Sequence, residues 1–295
     1  MQRVEQEIAR LIDECDYDEV NRLFGMLSGG KRLRAKLILK IADESKQAPT
    51  LCAIVELIHA ASLLHDDVID DAMTRRGKPS VNATEGSKTA VMLGDILYSK
   101  AFTELVCFDK SVAQTISTSV TALSKGEMID VNLADEFNED EKVYLDMLYL
   151  KTATLIEASA KASALLVGKD AQKYALYGKN LGLSFQIIDD ILDITQDEKT
   201  LGKPAMNDFV EGKVTLPYIY LYKALDDEGK AKLKSMHKKQ LSEDEQNWIK
   251  QNMQKYGTIQ KSFELAQKLS DEALSAIKGD EELENILQTM IKRSY

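Results

Sequence analysis

The sequence predicts an all-α protein, and three observations carry this. Only four of the 295 residues are proline, and alanine, leucine, lysine and glutamate dominate, the residues that lose least on entering a helix. Apolar residues recur at helical spacing in one segment after another. The breaks fall at Pro49, Gly168 and Gly257, each near a residue that can cap the next helix. The chain is 44% hydrophobic and 29% charged, an ordinary soluble balance. No linker or low-complexity tract divides it, so residues 1–295 are expected to form a single domain. A net charge of −10 argues against nucleic acid as a general partner. No apolar run reaches the roughly 20 residues that a membrane span needs, and residues 1–14 lack a signal-peptide core. Cys15, Cys52 and Cys107 are odd in number and lack metal-ligand spacing. They are expected to be reduced core thiols of a cytoplasmic protein.

Val4, Ile8, Leu11 and Ile12 form a helical stripe that ends near Asp13, and Asp18 or Asn21 can start the next segment. Then comes Ser28-Gly29-Gly30-Lys31-Arg32-Leu33-Arg34. Two glycines free the backbone ahead of a helix, and three cations follow. Cations at a helix N-terminus oppose the macrodipole, so their placement suggests a bound anion; the plainer alternative is a basic first turn with a flexible lead-in. Leu37 to Ala42 completes that helix, and Pro49 marks the next loop.

Thr50 can cap a helix running through Val55, Ile58, Ala61 and Leu64 into Leu63-Leu64-His65-Asp66-Asp67-Val68-Ile69-Asp70-Asp71. On a helix Asp66 and Asp70 lie one turn apart on one face, with Asp67 and Asp71 beside them. Like charges at that spacing repel and call for a cation. Carboxylates offer hard oxygen donors, which suit Mg²⁺ held between one or two acids and a substrate's phosphates. A solvated acidic helix end is the bland alternative. His59 stands two turns before Asp66 on roughly the same face; taken alone, such a histidine is more often a satisfied core residue than a ligand. The loop Thr74-Arg75-Arg76-Gly77-Lys78-Pro79-Ser80 offers either charge balance or a phosphate clamp.

Ser87 or Thr89 begins a helix through Phe102, and Val112 to Leu123 with Gly126 to Val131 makes another. Glu139 to Val167 is a long helical stretch broken at Lys151-Thr152, where the lysine is either snorkelling or a phosphate contact. Asp170 caps a helix that carries Phe185-Gln186-Ile187-Ile188-Asp189-Asp190-Ile191-Leu192-Asp193. This repeats the pattern of two aspartates, two apolar residues and an aspartate. The acids interrupt an apolar run that would otherwise be core, and buried carboxylates need partners. Two such sites on different helices are expected to face each other and hold divalent ions. Asp197 to Lys213 reads as a polar loop with cations over the metal site. Val214 to Leu225 resumes helix, Ser242 and Glu245 make a capping box, and Gly257 and Thr258 mark another boundary.

Together these motifs resemble the trans-isoprenyl diphosphate synthases, the polyprenyl synthetase family, from Gly29 to about Pro217. The resemblance implies a helical bundle around a deep central cavity, usually a homodimer. It implies an allylic diphosphate held through Mg²⁺ by Asp66, Asp70 and Asp189, with Arg75, Lys151, Lys203 and Lys213 on its phosphates. Thr152, Gln186 and Asp67 belong to the same catalytic set, and Asp190 and Asp193 lie at or just behind the metals. Isopentenyl diphosphate falls to Lys31, Arg34, His59 and Arg76, which reverses the isolated reading of His59. The implied chemistry is ionisation of the allylic diphosphate, attack by the double bond of isopentenyl diphosphate and loss of a proton, with pyrophosphate as base. Metal and cations neutralise the leaving group, and an apolar cavity keeps water away. The family often has glycine where Met206 stands, which puts the path of that loop in question.

Product length in this family depends on residues just before the first acidic motif. Here these are Ala61 and Ser62, both small, where short-chain enzymes often place an aromatic plug. One helical turn is about 5.4 Å, so opening one turn admits roughly one more isoprene unit. The motif looks most like long-chain, octaprenyl-type enzymes that make quinone side chains, with at most transient membrane contact for release of a lipid product. The alternatives are a farnesyl or geranylgeranyl synthase, or the catalytic subunit of a heteromeric synthase. A terpene cyclase would not need Lys31, Arg34 and Arg76, and a simple divalent-ion binder would leave the cations unexplained.

Overall fold

The computed structural model describes residues 1–27, 30, 32–196 and 205–291. Lys31 and Lys203, with most of the glycine-rich turn before α3 and the first part of the expected 197–213 loop, lie outside the described residues. Among the described residues the regular elements are helices apart from one ribbon of two short strands, and the chain falls into two compact units: 1–120 with 155–175, and 121–154 with 176–295.

The first unit is built on α4 (Ala48–Ile69). It packs against α1 (Gln2–Asp13), α3 (Leu33–Ala42), α5 (Val81–Glu85) and α6 (Ser87–Leu105), with α2 (Asp18–Met26) on α1. The α1 stripe of Val4, Ile8, Leu11 and Ile12 is buried as its spacing predicts. From Leu51 to Ile58 every residue of α4 is buried, so this helix has no polar side until its C-terminal third. Its length and composition would suit a membrane span, which corrects the expectation that no such run exists, but 67% of the qualifying window is buried inside the protein. The helix also starts earlier than predicted. Pro49 sits inside its first turn rather than in a loop, where its missing N–H has no helical partner to lose. At the other end, Asp70 N–H still donates to Asp66 O at 2.8 Å, but Asp71 has φ +49°. Asp71 is therefore turned off the helix and does not share a face with Asp67.

The chain then forms a minimal antiparallel ribbon, β1 (Thr74–Arg75) with β2 (Lys78–Pro79), at the position predicted as loop. Ser80 caps α5 by accepting Ala83 N–H. Next come α7 (Lys110–Leu133), α8 (Glu141–Leu148) and a π-helical turn, Tyr149–Ala153, followed by α9 (Thr154–Leu166) and α10 (Ala171–Thr195). The predicted break at Lys151-Thr152 is this π turn.

In the second unit α12 (Leu216–Ala224) is the central element. It packs on α8, α13 (Asp227–Met236), α14 (Glu243–Tyr256) and α15 (Thr258–Ala276), and α16 (Glu281–Ile291) closes on α15. Ile187, Phe209, Leu216, Tyr218, Leu221 and Ile249 are at the heart of its core, and Phe209 stacks on Tyr218 at 4.3 Å between ring centroids. The short α11 (Asn207–Val210) follows Met206. The capping box at Ser242 and Glu245 and the left-handed Gly257 stop are both present. Of the cysteines only Cys52 is a core thiol; Cys15 is half-buried and Cys107 exposed, and all three are free. Cys107 lies beyond the end of α6, where helical periodicity no longer fixes a buried face.

Candidate active site

In the first unit the C-terminal third of α4, the ribbon and the start of α3 place their polar residues together. Asp67 is buried and accepts from Arg75 through Nε and Nη2, each at 2.6 Å. Burial pushes the Asp67 carboxyl up against the pull of Arg75. Asp66 is half-buried and Asp70 exposed, so both are less enclosed by protein than Asp67.

A cluster of cations surrounds His59. Burial, then Arg34, Arg76, Arg75 and Arg32, hold its imidazole well below the usual range, so the ring is neutral at pH 7. Arg76 also acts on Arg34, which burial pulls down from its ordinary value with Glu56 opposing. The guanidinium of Arg76 lies over Gly30: a Cβ there would stand 2.8 Å from Nη1. Glycine at this position thus lets the turn before α3 approach the arginine. So much positive charge around an uncharged ring, with Arg34 half-buried, suits a multivalent anion. Sequence reasoning missed what anchors this cluster. Glu56, buried in the apolar stretch of α4, accepts Ala35 N–H at 3.2 Å and Arg32 Nη1 at 3.0 Å. The signal was present: a lone glutamate in a helical run with no other charge.

Ala61 and Ser62 are both buried on α4, and Ser62 Oγ donates to His59 O at 2.9 Å.

The second unit gathers Lys151, Thr152, Gln186, Asp190 and Lys213 around a cavity of about 150 Å³, with Asp130, Tyr144 and Asp208 also in its wall. Asp190 is buried; it accepts from Tyr144 OH and from Gln186 Nε2, the latter at 3.0 Å. Thr152 Oγ1 donates to Gln186 Oε1 at 3.3 Å. Burial, Asp208 and Asp189 push Asp190 well above the usual carboxylate range, opposed by the Tyr144 and Gln186 donors. Asp189 is exposed and Asp193 buried. Asp193 holds the following segment, with Oδ2 accepting Asp208 N–H at 3.2 Å and its carbonyl accepting Met206 N–H at 2.8 Å. Met206 has φ +60° and is fully buried. The residue where the family often has glycine occupies a conformation that favours glycine. Lys213 Nζ lies 2.9 Å from Glu211.

Lys151 departs most from its predicted setting. Its Nζ is 2.5 Å from Asp130 and 2.8 Å from Glu127. Burial alone would lower its pKa, but the two acids outweigh this and raise it, so the ammonium stays charged. Tyr144, Asp208, Glu127 and Asp130 were not foreseen. The acids sit at i and i+3 on α7, a spacing common on any helix.

Among the described residues no three acidic, histidine or cysteine side chains stand close enough to enclose a metal by themselves. Magnesium is commonly held by one or two carboxylates, with water and substrate phosphates completing the shell. Asp66, Asp70 and Asp189, half-buried or exposed and carrying hard oxygen donors, fit that mode.

Comparison with known proteins assigns the family. Residues 20–255 match the polyprenyl synthetase family model. The chain belongs to this family. The octaprenyl pyrophosphate synthase of Helicobacter pylori is similar over 99% of this chain and 98% of its own, with 46% identity and a TM-score of 0.94. The octaprenyl diphosphate synthase of Escherichia coli is 35% identical over 70% of this chain and 67% of its own. A geranylgeranyl diphosphate synthase of Sulfolobus acidocaldarius is 36% identical over 85% and 80%. This polyprenyl synthetase is therefore a prenyltransferase of the trans-prenyl diphosphate synthase type, with the all-α fold of that family.

Proposed function

We propose that the chain condenses isopentenyl diphosphate head-to-tail onto an allylic diphosphate, with Mg²⁺, and makes a long, octaprenyl-like product for a quinone side chain. What supports the mechanism is a division of roles repeated in both acidic motifs. In each, the second aspartate is buried and bound to protein donors, Arg75 for Asp67 and Tyr144 with Gln186 for Asp190. The first is less buried: Asp66 is half-buried and Asp189 exposed. Asp66, Asp70 and Asp189 are the metal ligands. When bound, Mg²⁺ neutralises the allylic diphosphate so that it can leave. Arg75, oriented by Asp67, and Lys151 and Lys213 attract its phosphate oxygens; Lys203 belongs to the same set by resemblance. The Thr152–Gln186–Asp190–Tyr144 chain of hydrogen bonds orders the wall beside the reacting carbon. Arg34, His59 and Arg76, with Lys31 by resemblance, hold isopentenyl diphosphate, His59 as a neutral donor. Pyrophosphate takes the proton.

The long product is favoured by the small Ala61 and Ser62 and by the extent of likeness to the Helicobacter octaprenyl enzyme. We assign a cytoplasmic homodimer, with membrane contact only during product release. The test is chromatography of products from labelled isopentenyl diphosphate and an allylic starter, with Mg²⁺ and with chelator. An octaprenyl-range product that vanishes with chelator supports the reading; a farnesyl or geranylgeranyl product overturns the length. Ala61→Phe or Ser62→Phe should shorten the product, and an unchanged length would remove these residues as its determinant. Activity of the purified chain alone distinguishes a self-sufficient enzyme from the subunit of a heteromer.

A further inference from the structure

Two carboxylates hold Lys151 where one would neutralise it. Asp130 Oδ2 and Glu127 Oε2 stand 2.5 and 2.8 Å from Nζ, and both acids are buried. Glu127 Oε1 is also buried, with no hydrogen-bond partner among the described residues. A cross-link serving stability alone would be complete with one acid, and buried ion pairs are poor stabilisers in any case. The arrangement is fixed by backbone. A Cβ at Gly126 would stand 2.3 Å from Lys151 N and 2.6 Å from Leu150 C, so α7 touches the π turn directly, and the acids that follow Gly126 cannot withdraw from the lysine. Lys151 and Asp130 both line the cavity that carries Lys213.

We infer that Glu127 and Asp130 are positioning residues that aim Lys151 into this cavity and, by over-neutralising it, limit its grip on a diphosphate so that inorganic pyrophosphate is released after each condensation. The inference rests on the function proposed above. An enzyme that adds several isoprene units to one chain sheds a pyrophosphate with each. A lysine without opposing charge would bind that product as firmly as the substrate's diphosphate, an interaction that slows turnover without lowering the barrier. A negative charge within 3 Å of the ammonium weakens the attraction directly.

The experiment is a calorimetric titration of the full chain with magnesium pyrophosphate, for wild type, Glu127→Gln, Lys151→Met and the double variant. Glutamine keeps the volume and an acceptor for Nζ while removing the charge. Glu127→Gln is expected to bind pyrophosphate about threefold or more tightly, with pyrophosphate inhibition of turnover tightening in parallel. In the Lys151→Met background the same substitution should change affinity little, because the effect is exerted through the lysine. Asp130→Asn should act in the same direction, and it serves in place of Glu127→Gln if that variant loses its helical circular dichroism. If Lys151→Met does not fold, Lys151→Gln takes its place. Unchanged or weaker binding by Glu127→Gln overturns the inference, as does an equal gain with and without the lysine. If wild type itself fails to bind magnesium pyrophosphate, the proposed function falls and this inference with it. Binding by wild type without tightening by Glu127→Gln removes the inference alone.

Discussion

At the scale of residues, His59 gives a pH dependence whose sign is fixed. The folded ring stays neutral because burial and the surrounding arginines oppose its protonation, whereas in the unfolded chain it takes up a proton below about pH 6.5. The unfolded state then binds more protons, so stability falls as pH drops below that value, by at most about 1.4 kcal/mol per pH unit from this group. Urea unfolding midpoints at pH 7.5 and 5.5 should therefore differ more in wild type than in His59→Gln. Met206 gives a second test. A left-handed non-glycine residue costs about 1–2 kcal/mol, while truncating a buried methionine to alanine costs about 2–5 kcal/mol. Met206→Ala loses the burial and keeps the strain, whereas Met206→Gly loses the burial and relieves it. Thermal melting should rank wild type first, glycine second and alanine last, against the usual order of those two residues in helices.

Elements show what patterning conveys and what it does not. The stripe of α1, the capping box of α14 and the Gly257 stop were legible because each is local: the residues that decide them lie within a few positions. The start of α4 was misread because Pro49 signals a break and also suits a helix's first turn, and only packing chooses between the two. Arg75, Lys151 and Lys213 were legible as cations near acids. The partners of Lys151 were not, because Glu127 and Asp130 reach it from α7, more than twenty residues earlier in the chain. Asp67 and Asp190 could not be told from Asp66 and Asp189 by spacing, since burial, which separates them, is set by neighbouring elements. The contact of α7 with the π turn is the strictest in the second unit's site. Gly126→Ala sets a methyl against main chain and should cost about 1–3 kcal/mol, read as a lower melting temperature. It should also tighten pyrophosphate binding, because the acids and the lysine would be forced apart.

For the whole molecule, the prediction that matters is whether the two acidic banks act as one. If Asp66 and Asp189 serve a single metal cluster, either aspartate replaced by asparagine should remove most magnesium-dependent pyrophosphate binding, and the double variant should lose little more. Independent sites would give losses that add. Calorimetry with and without chelator separates these outcomes.

A π turn is an α-helix that has accepted one surplus residue and absorbed it within a single loop of backbone. Tyr149–Ala153 is such an accommodation, so shortening the chain there by one position should let an ordinary helix close up, with α8 and α9 keeping their seats. Lys151 would swing round the axis and lose its place beside Asp130 and Glu127. An in-frame codon loss there should therefore leave the helical circular dichroism intact while abolishing prenyl transfer.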